Sequence, residues 1–219
     1  MWDIRTNKEA AIFKPKNGAV RDVQFSPLVK FKFAAVFDNG KLQIWDFRYH
    51  EQPFMKIVAH TKTARKRTTD RRLHRLALQY WHHTMPWRLA TGSHDRTVKI
   101  WDLDERSGTR RDRTAGQRQK PAVMEQTLKP TLTLASPAPV SRAKWRPGHP
   151  DQIAMAQMPP MRGKDVAIQV TDVSDPSIPL VVVHGGDDQK NGFCWLDTPL
   201  VDLPPPVVAP STSVSFVSG

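Results

Sequence analysis

Four times along the chain a short apolar segment closes on the same kind of ending. Trp2-Asp3 opens the sequence, KLQIWDF follows at 41–47 and TVKIWDL at 97–103. VAIQVTDV at 166–173 repeats the pattern with Thr171 in the tryptophan's place. The steps between these positions are 43, 56 and 70 residues. A period of about 40–45 residues is that of a four-stranded propeller blade. The first step fits it, and the other two read as that period plus insertions. A repeat of this length constrains the fold more than composition does, because each unit must bury its apolar surface against its neighbours.

Each unit carries the same order of parts. The first has VRDVQF at 20–25, FKFAAVF at 31–37, the turn Asp38-Asn39-Gly40 and then KLQIW. Alternation puts Val20, Asp22 and Gln24 on one face of its first strand and Arg21, Val23 and Phe25 on the other. Asn and Gly accept the positive φ that a tight hairpin needs. The second unit has LALQYWHH at 76–83, WRLATGS at 87–93, a His-Asp-Arg turn and TVKIW; the third has VSRAKW at 140–145, QIAMAQ at 152–157 and VAIQV at 166–170. Fourth strands are expected at 53–58, 131–135 and 178–183. The fold class is therefore all-β: a partial propeller of about three four-stranded blades. Nineteen prolines argue against long helices.

The remaining composition narrows function by exclusion. Cys194 is the single cysteine, which rules out a disulfide scaffold and a cysteine-based zinc cluster. No apolar run is long enough to cross a membrane as a helix. MWDIRTNKEA has no apolar core of a secretory signal, so a soluble intracellular chain is the expectation. His82-His83 are adjacent and cannot set two ligands on one helix face, and Cys194 in FCW reads as a buried thiol. Asp46, Asp102 and Asp172 recur because the architecture recurs, not as a catalytic pair. No constellation supports catalysis. The expectation is no enzyme, no cofactor and no metal.

The formal charge of +12 is concentrated. KTARKRTTDRRLHR at 62–75 holds seven Lys or Arg against one Asp. It reads either as a solvated loop or as a basic element for nucleic acid, anionic lipid or an import receptor. No aromatic interleaves its cations, as a base-stacking platform would require. A second charged stretch, 103–130, reads as a disordered connector. The tail beyond 199, with Pro204-Pro205-Pro206, reads as disordered.

LATGSHDRTVKIWD at 89–102 and Phe25-Ser26-Pro27 together resemble the WD-repeat family, with Ala59-His60 standing in for its Gly-His pair. The resemblance implies a structural hydrogen-bond network of His60, Thr91 or Ser93, Asp95 and Trp101, with repeat-end pairs at Trp2-Asp3, Trp45-Asp46 and Trp101-Asp102, and Asp172 in the unit lacking the tryptophan. The first unit lacks the His, so its network is expected to be incomplete. GAVRDVQFSP, PWRLATGSHDRTVKIWD, APVSRAKWRPGHP and GFCWLDT are similar to one group within the family, the WD-repeat subunit of the fungal SEA complex and its animal counterpart in the GATOR-two complex. That group is also called restriction of telomere capping. Its propellers have more blades and a C-terminal RING-like region, so the chain reads as a truncated form. The implied organisation is an incomplete propeller over 1–198, with insertions at about 61–75 and 103–130, and a Pro-rich tail over 199–219. The implied role is a protein-protein interaction scaffold, partnered by other subunits of a multiprotein complex. It would sit at the cytosolic face of the vacuole or lysosome and in the cytoplasm, indirectly attached, in TORC-one nutrient signalling and autophagy. The alternative is a basic nucleic-acid or chromatin-associated module linked to telomere capping.

Overall fold

The computed structural model describes residues 1–14, 18–60, 76–104, 125–126, 128–158, 167–184 and 193–195. The basic stretch 61–75, the tail 196–219 and most of 103–130 lie outside the described residues.

All regular structure among the described residues is strand. The elements are β1 (Trp2–Asp3), β2 (Lys8–Glu9), β3 (Val20–Phe25), β4 (Lys32–Phe37), β5 (Lys41–Asp46), β6 (Met55–Val58), β7 (Leu76–Trp81) and β8 (Arg88–Ser93). They continue with β9 (Thr97–Asp102), β10 (Glu125–Gln126), β11 (Leu132–Ala135), β12 (Val140–Arg146), β13 (His149–Gln157), β14 (Ala167–Asp172) and β15 (Val181–His184). Consecutive strands pair antiparallel into three sheets, in the orders β3-β4-β5-β6, β7-β8-β9-β11 and β12-β13-β14-β15. These are the three expected blades of an all-β partial WD-repeat propeller.

Two details depart from the sequence expectation. Glu125 and Gln126, inside the stretch read as a disordered connector, form β10 and pair parallel with Lys56 and Ile57 on the outer edge of the first sheet. An edge strand offers unpaired backbone groups, and this segment uses them. The strict alternation along β3 also fails. A bulge between Val20 and Asp22 shifts the register, so Val20 lines the same groove as Val23 and Phe25.

The blades stack face to face. One core lies between the first two, where Ala34, Val36, Leu42, Ile44, Met55 and Ile57 meet Trp81, Leu89 and Trp101. A second lies between the next two, where Ala90, Val98, Ile100 and Leu134 meet Val140, Ala143, Trp145, Ile153 and Met155. Each junction sets small and aliphatic side chains of one sheet against a tryptophan-bearing face of the next. Such interlocking of large and small groups gives interior-like packing density. Beyond the third blade, Phe193 covers Ala154, Ala156, Ile168 and Val170.

Before the first blade, β1 and β2 form a hairpin, so Trp2-Asp3 pairs with Glu9 and Lys8. Phe13 meets Phe33 and Trp45 edge-on, at 4.9 and 5.5 Å. Between this segment and the blade lies a groove of about 810 Å³, bordered by Trp2, Phe13, Val23, Phe25, Phe37 and Trp45.

Candidate functional site

The residues singled out at the tips of the second blade form one chain of hydrogen bonds. The Trp101 indole N–H donates to Thr91 Oγ1 at 2.9 Å. Thr91 Oγ1 lies 3.0 Å from His60 Nε2, and His60 Nδ1 lies 2.7 Å from the Asp95 carboxylate. Asp95 also accepts from the Thr97 amide at 3.0 Å and the Thr97 hydroxyl at 2.6 Å, which pins the β8–β9 turn. Ser93 takes no part in the contact with His60. Its hydroxyl accepts from the Asp95 amide at 3.2 Å and shapes the same turn.

Strand geometry brings these groups together. Thr91 and Lys99 are register partners, as are Leu89 and Trp101, so the Thr91 hydroxyl and the Trp101 indole share one face of the sheet. His60 arrives from the first blade, just after β6. Its amide and that of Ala59 both donate to the carbonyl of Gly40 at 3.0 Å, and Lys99 Nζ donates to the carbonyl of Ala59 at 2.9 Å. A Cβ on Gly40 would lie 2.0 Å from the His60 carbonyl oxygen, and Gly40 has φ of 82°. Only glycine lets the two turns approach so closely.

Burial pushes the Asp95 carboxyl up, but the bonds from His60 and Thr97 outweigh it and hold it below the ordinary carboxylate range. An Asp-His-Thr line resembles the relay of a hydrolase. Thr91 is wholly buried, however, and its oxygen already accepts the Trp101 indole N–H. The arrangement is built to hold two blades together.

The first blade satisfies its tryptophan differently. Ala35 occupies the position of Thr91, and the Trp45 indole donates instead to Gln43 Oε1 at 3.1 Å. In the third blade Gln169 donates to the Thr171 hydroxyl at 3.1 Å and accepts from Gln157 at 3.3 Å.

The aspartates of the repeat ends have their own partners, which sequence reasoning missed. Asp46 accepts from Lys32 Nζ at 2.7 Å and from Arg48 Nε and Nη2 at 3.0 and 2.7 Å. Arg48, and then Lys32, hold its carboxyl far below the ordinary range against the cost of burial. Asp102 accepts from Arg88 Nε and Nη2 at 2.5 and 3.0 Å, and its carboxyl is likewise lowered by Arg88. Asp172 pairs in register with Gln152, which carries no charge. A signal for the first two was present: the cation precedes its Asp by 14 residues in both units. At the other repeat end, Asp3 accepts from the Arg5 amide at 2.9 Å, and the Trp2 indole donates to Asn7.

Among the described residues no group of three or more His, Cys, Asp or Glu side chains is placed to hold a metal ion, and no helix is long and apolar enough to cross a membrane.

Comparison with known proteins agrees with this architecture. The family of the WD domain, G-beta repeat, matches residues 69–102. The GATOR2 complex protein WDR24 of Danio rerio is 30% identical over 194 residues, 89% of this chain and 20% of the relative. The Gallus gallus protein of that name is 30% identical over the same length, and the Homo sapiens one 29%. The chain spans about a fifth of the length of these relatives. With the repeat matched and the blades in place, the chain carries a WD repeat over 69–102 and is similar along most of its length to the WDR24 proteins of the GATOR2 complex.

Proposed function

We propose that the chain is a non-catalytic scaffold subunit of a GATOR2-like complex. The observation that carries this reading is likeness to GATOR2 complex proteins over 89% of the chain, on a stack of rigid sheets whose buried polar groups serve structure. A blade stack presents turns at both ends and open sheet faces, and rigid surfaces of this kind bind proteins without a large ordering cost. Its partners are other protein subunits of that assembly. The process served is TORC-one nutrient signalling and autophagy, at the cytosolic face of the vacuole or lysosome, with attachment through those partners. The resemblance to the SEA complex subunit supports these finer points. The domain reading, blades over 1–198 and a separate tail over 199–219, belongs to the same proposal.

Co-purification tests it. The tagged chain, expressed in cells with the complex intact, is expected to retain the other complex subunits after washing in 0.5 M salt. Capture of nucleic acid instead, lost steeply with salt and abolished by deleting 61–75, would support the alternative module. Capture of neither overturns both.

A further inference from the structure

One buried titratable side chain outside these networks is used by two blades at once. His82 follows β7 and is 1% exposed. Its partners leave one choice of tautomer. Nδ1 faces the backbone amides of Thr84 at 3.1 Å and Met85 at 2.9 Å, which can only donate, and the Thr84 hydroxyl at a longer 3.3 Å, which can donate as well. Nε2 lies 2.7 Å from the carbonyl of Pro150 in β13, which can only accept. Nδ1 is therefore bare and Nε2 carries the proton. The imidazole meets Trp145 of the third blade edge-on at 4.6 Å and stacks on His83 at 4.8 Å. The ring thus ties the turn after β7 to the hairpin that opens the third blade.

We propose that His82 is a proton-sensitive latch between the second and third blades. Taking up a proton at Nδ1 turns the acceptor of two amides into a donor aimed at them, and the Thr84 hydroxyl, at 3.3 Å, is the one acceptor beside it and cannot relieve both amides. The 82–85 turn then loses its centre. The bond from Nε2–H to the Pro150 carbonyl would outlast protonation by itself, but relieving the two amides requires the ring to swing out of the turn, and that movement draws it away from Pro150 and Trp145.

The groups around the ring are His83 on the same turn, Arg88 on β8, Asp102 at the end of β9 and Asp151 on β13. Burial, with His83 and Arg88, disfavours a positive ring, while the Pro150 carbonyl and Asp151 favour it. Burial prevails and holds the group below its ordinary value of 6.5. The sign follows. The latch is fully closed above pH 6.5, where a freed imidazole is also neutral. As pH falls below that value the opened form takes up a proton that the closed form resists. Opening is then favoured about tenfold per pH unit, until the closed form titrates as well.

Native-state hydrogen exchange on the full chain tests this, from pH 7.5 to 5 and corrected for intrinsic rates. The amides of Thr84, Met85 and β12 are expected to lose protection about tenfold per unit below pH 6.5. Those of Ala34 to Val36 are expected to hold. The H82N variant keeps a side-chain carbonyl to accept from the two amides but cannot titrate, and its slope is expected to vanish. A slope that survives in H82N overturns the proposal. Should that variant fail to fold, nitrogen shifts of the native His82 ring decide. Ring protonation without movement of the Thr84 and Met85 amides overturns the latch, and joint movement supports it.

Discussion

The first and second blades end their third strand on the same Trp-Asp pair, yet bury it by different means. In the second, the Trp101 indole reaches Thr91, then His60 and Asp95, and His60 is supplied by the preceding blade. In the first, Trp45 is served by Gln43, two residues back on its own strand. The demand is the same in both, since a buried indole N–H without a partner costs about 1–3 kcal/mol. What differs is reach. A bond within one strand satisfies the donor but joins nothing further, whereas the His60 line also fastens two sheets and a turn.

The turns differ in the same sense, and here the largest effect is expected. Gly40 and Arg96 occupy matching places before the third strand, with φ of 82° and 66°. Both carbonyls accept from the segment that follows the fourth strand of the same blade, Gly40 from His60 and Arg96 from Ser136, but at Gly40 a Cβ would lie 2.0 Å from the His60 carbonyl oxygen. Substitution G40A must push the His60 carbonyl away and is expected to cost about 4 kcal/mol in chemical denaturation, the range of severe backbone and packing damage. A loss under about 1 kcal/mol would show that the Gly40 turn and the His60 backbone do not pack this closely.

Next in size is a direct contrast of the two networks. H60A leaves Asp95 and Thr91 without their shared partner in a buried site, with an expected loss of about 3 kcal/mol. Q43L removes one local acceptor and is expected to lose about 1–2 kcal/mol. Equal losses would break the distinction between a bond that joins blades and one that does not.

The repeat-end aspartates give a third contrast. Lys32 and Asp46 are both buried, with side chains 8% and 6% exposed, whereas Arg88 and Asp102 are 20% and 40% exposed. K32M is expected to cost about 2 kcal/mol, less than a wholly broken buried pair because Arg48 remains on Asp46. R88M is expected to cost under about 1 kcal/mol. Both carboxyls are lowered in the fold. Their contribution is therefore present above the ordinary value of 3.8 and lost as pH falls below it. In acid titration R88M should lose most of the Asp102 part of this dependence, since Arg88 is its main cause, whereas K32M should keep much of the Asp46 part, since Arg48 remains.

Strand order and blade pairing were legible because alternating apolar runs, Asx-Gly turns and the recurrent Trp-Asp ending all point to antiparallel hairpins. His60, Thr91, Asp95 and Trp101 could be singled out because their types recur at fixed places in the family resembled. Gln43 was not legible: a glutamine in a strand reads as a solvent-facing residue, and only the register shows that Ala35 opposite has no hydroxyl to offer. The roles of Lys32 and Arg88 depend on cross-strand register for the same reason. The adjacency of His82 and His83 excluded a helical ligand pair but showed no role for His82, because its partners are backbone groups of Thr84, Met85 and Pro150, which no side-chain pattern encodes.

The smallest expected effect is a gain. Arg96 holds a left-handed backbone in the β8–β9 turn, where its amide donates to the Ser93 carbonyl at 3.3 Å. A residue with a Cβ pays about 1 kcal/mol or more for that conformation, and glycine does not. Glycine also loses more chain entropy on folding, which offsets part of the benefit. R96G is therefore expected to raise stability by about 0.5 kcal/mol, read as a shift of the urea midpoint at unchanged slope. The gain depends on the Asp95 bonds to Thr97 and His60 keeping the turn in this shape whatever residue follows. In an H60A background the turn loses one of those holds, and a flexible glycine no longer has a fixed conformation to relieve. The gain is expected to vanish there. A gain of equal size in both backgrounds would mean that the turn is shaped locally, as in the first blade, and that the His60 line does not reach it.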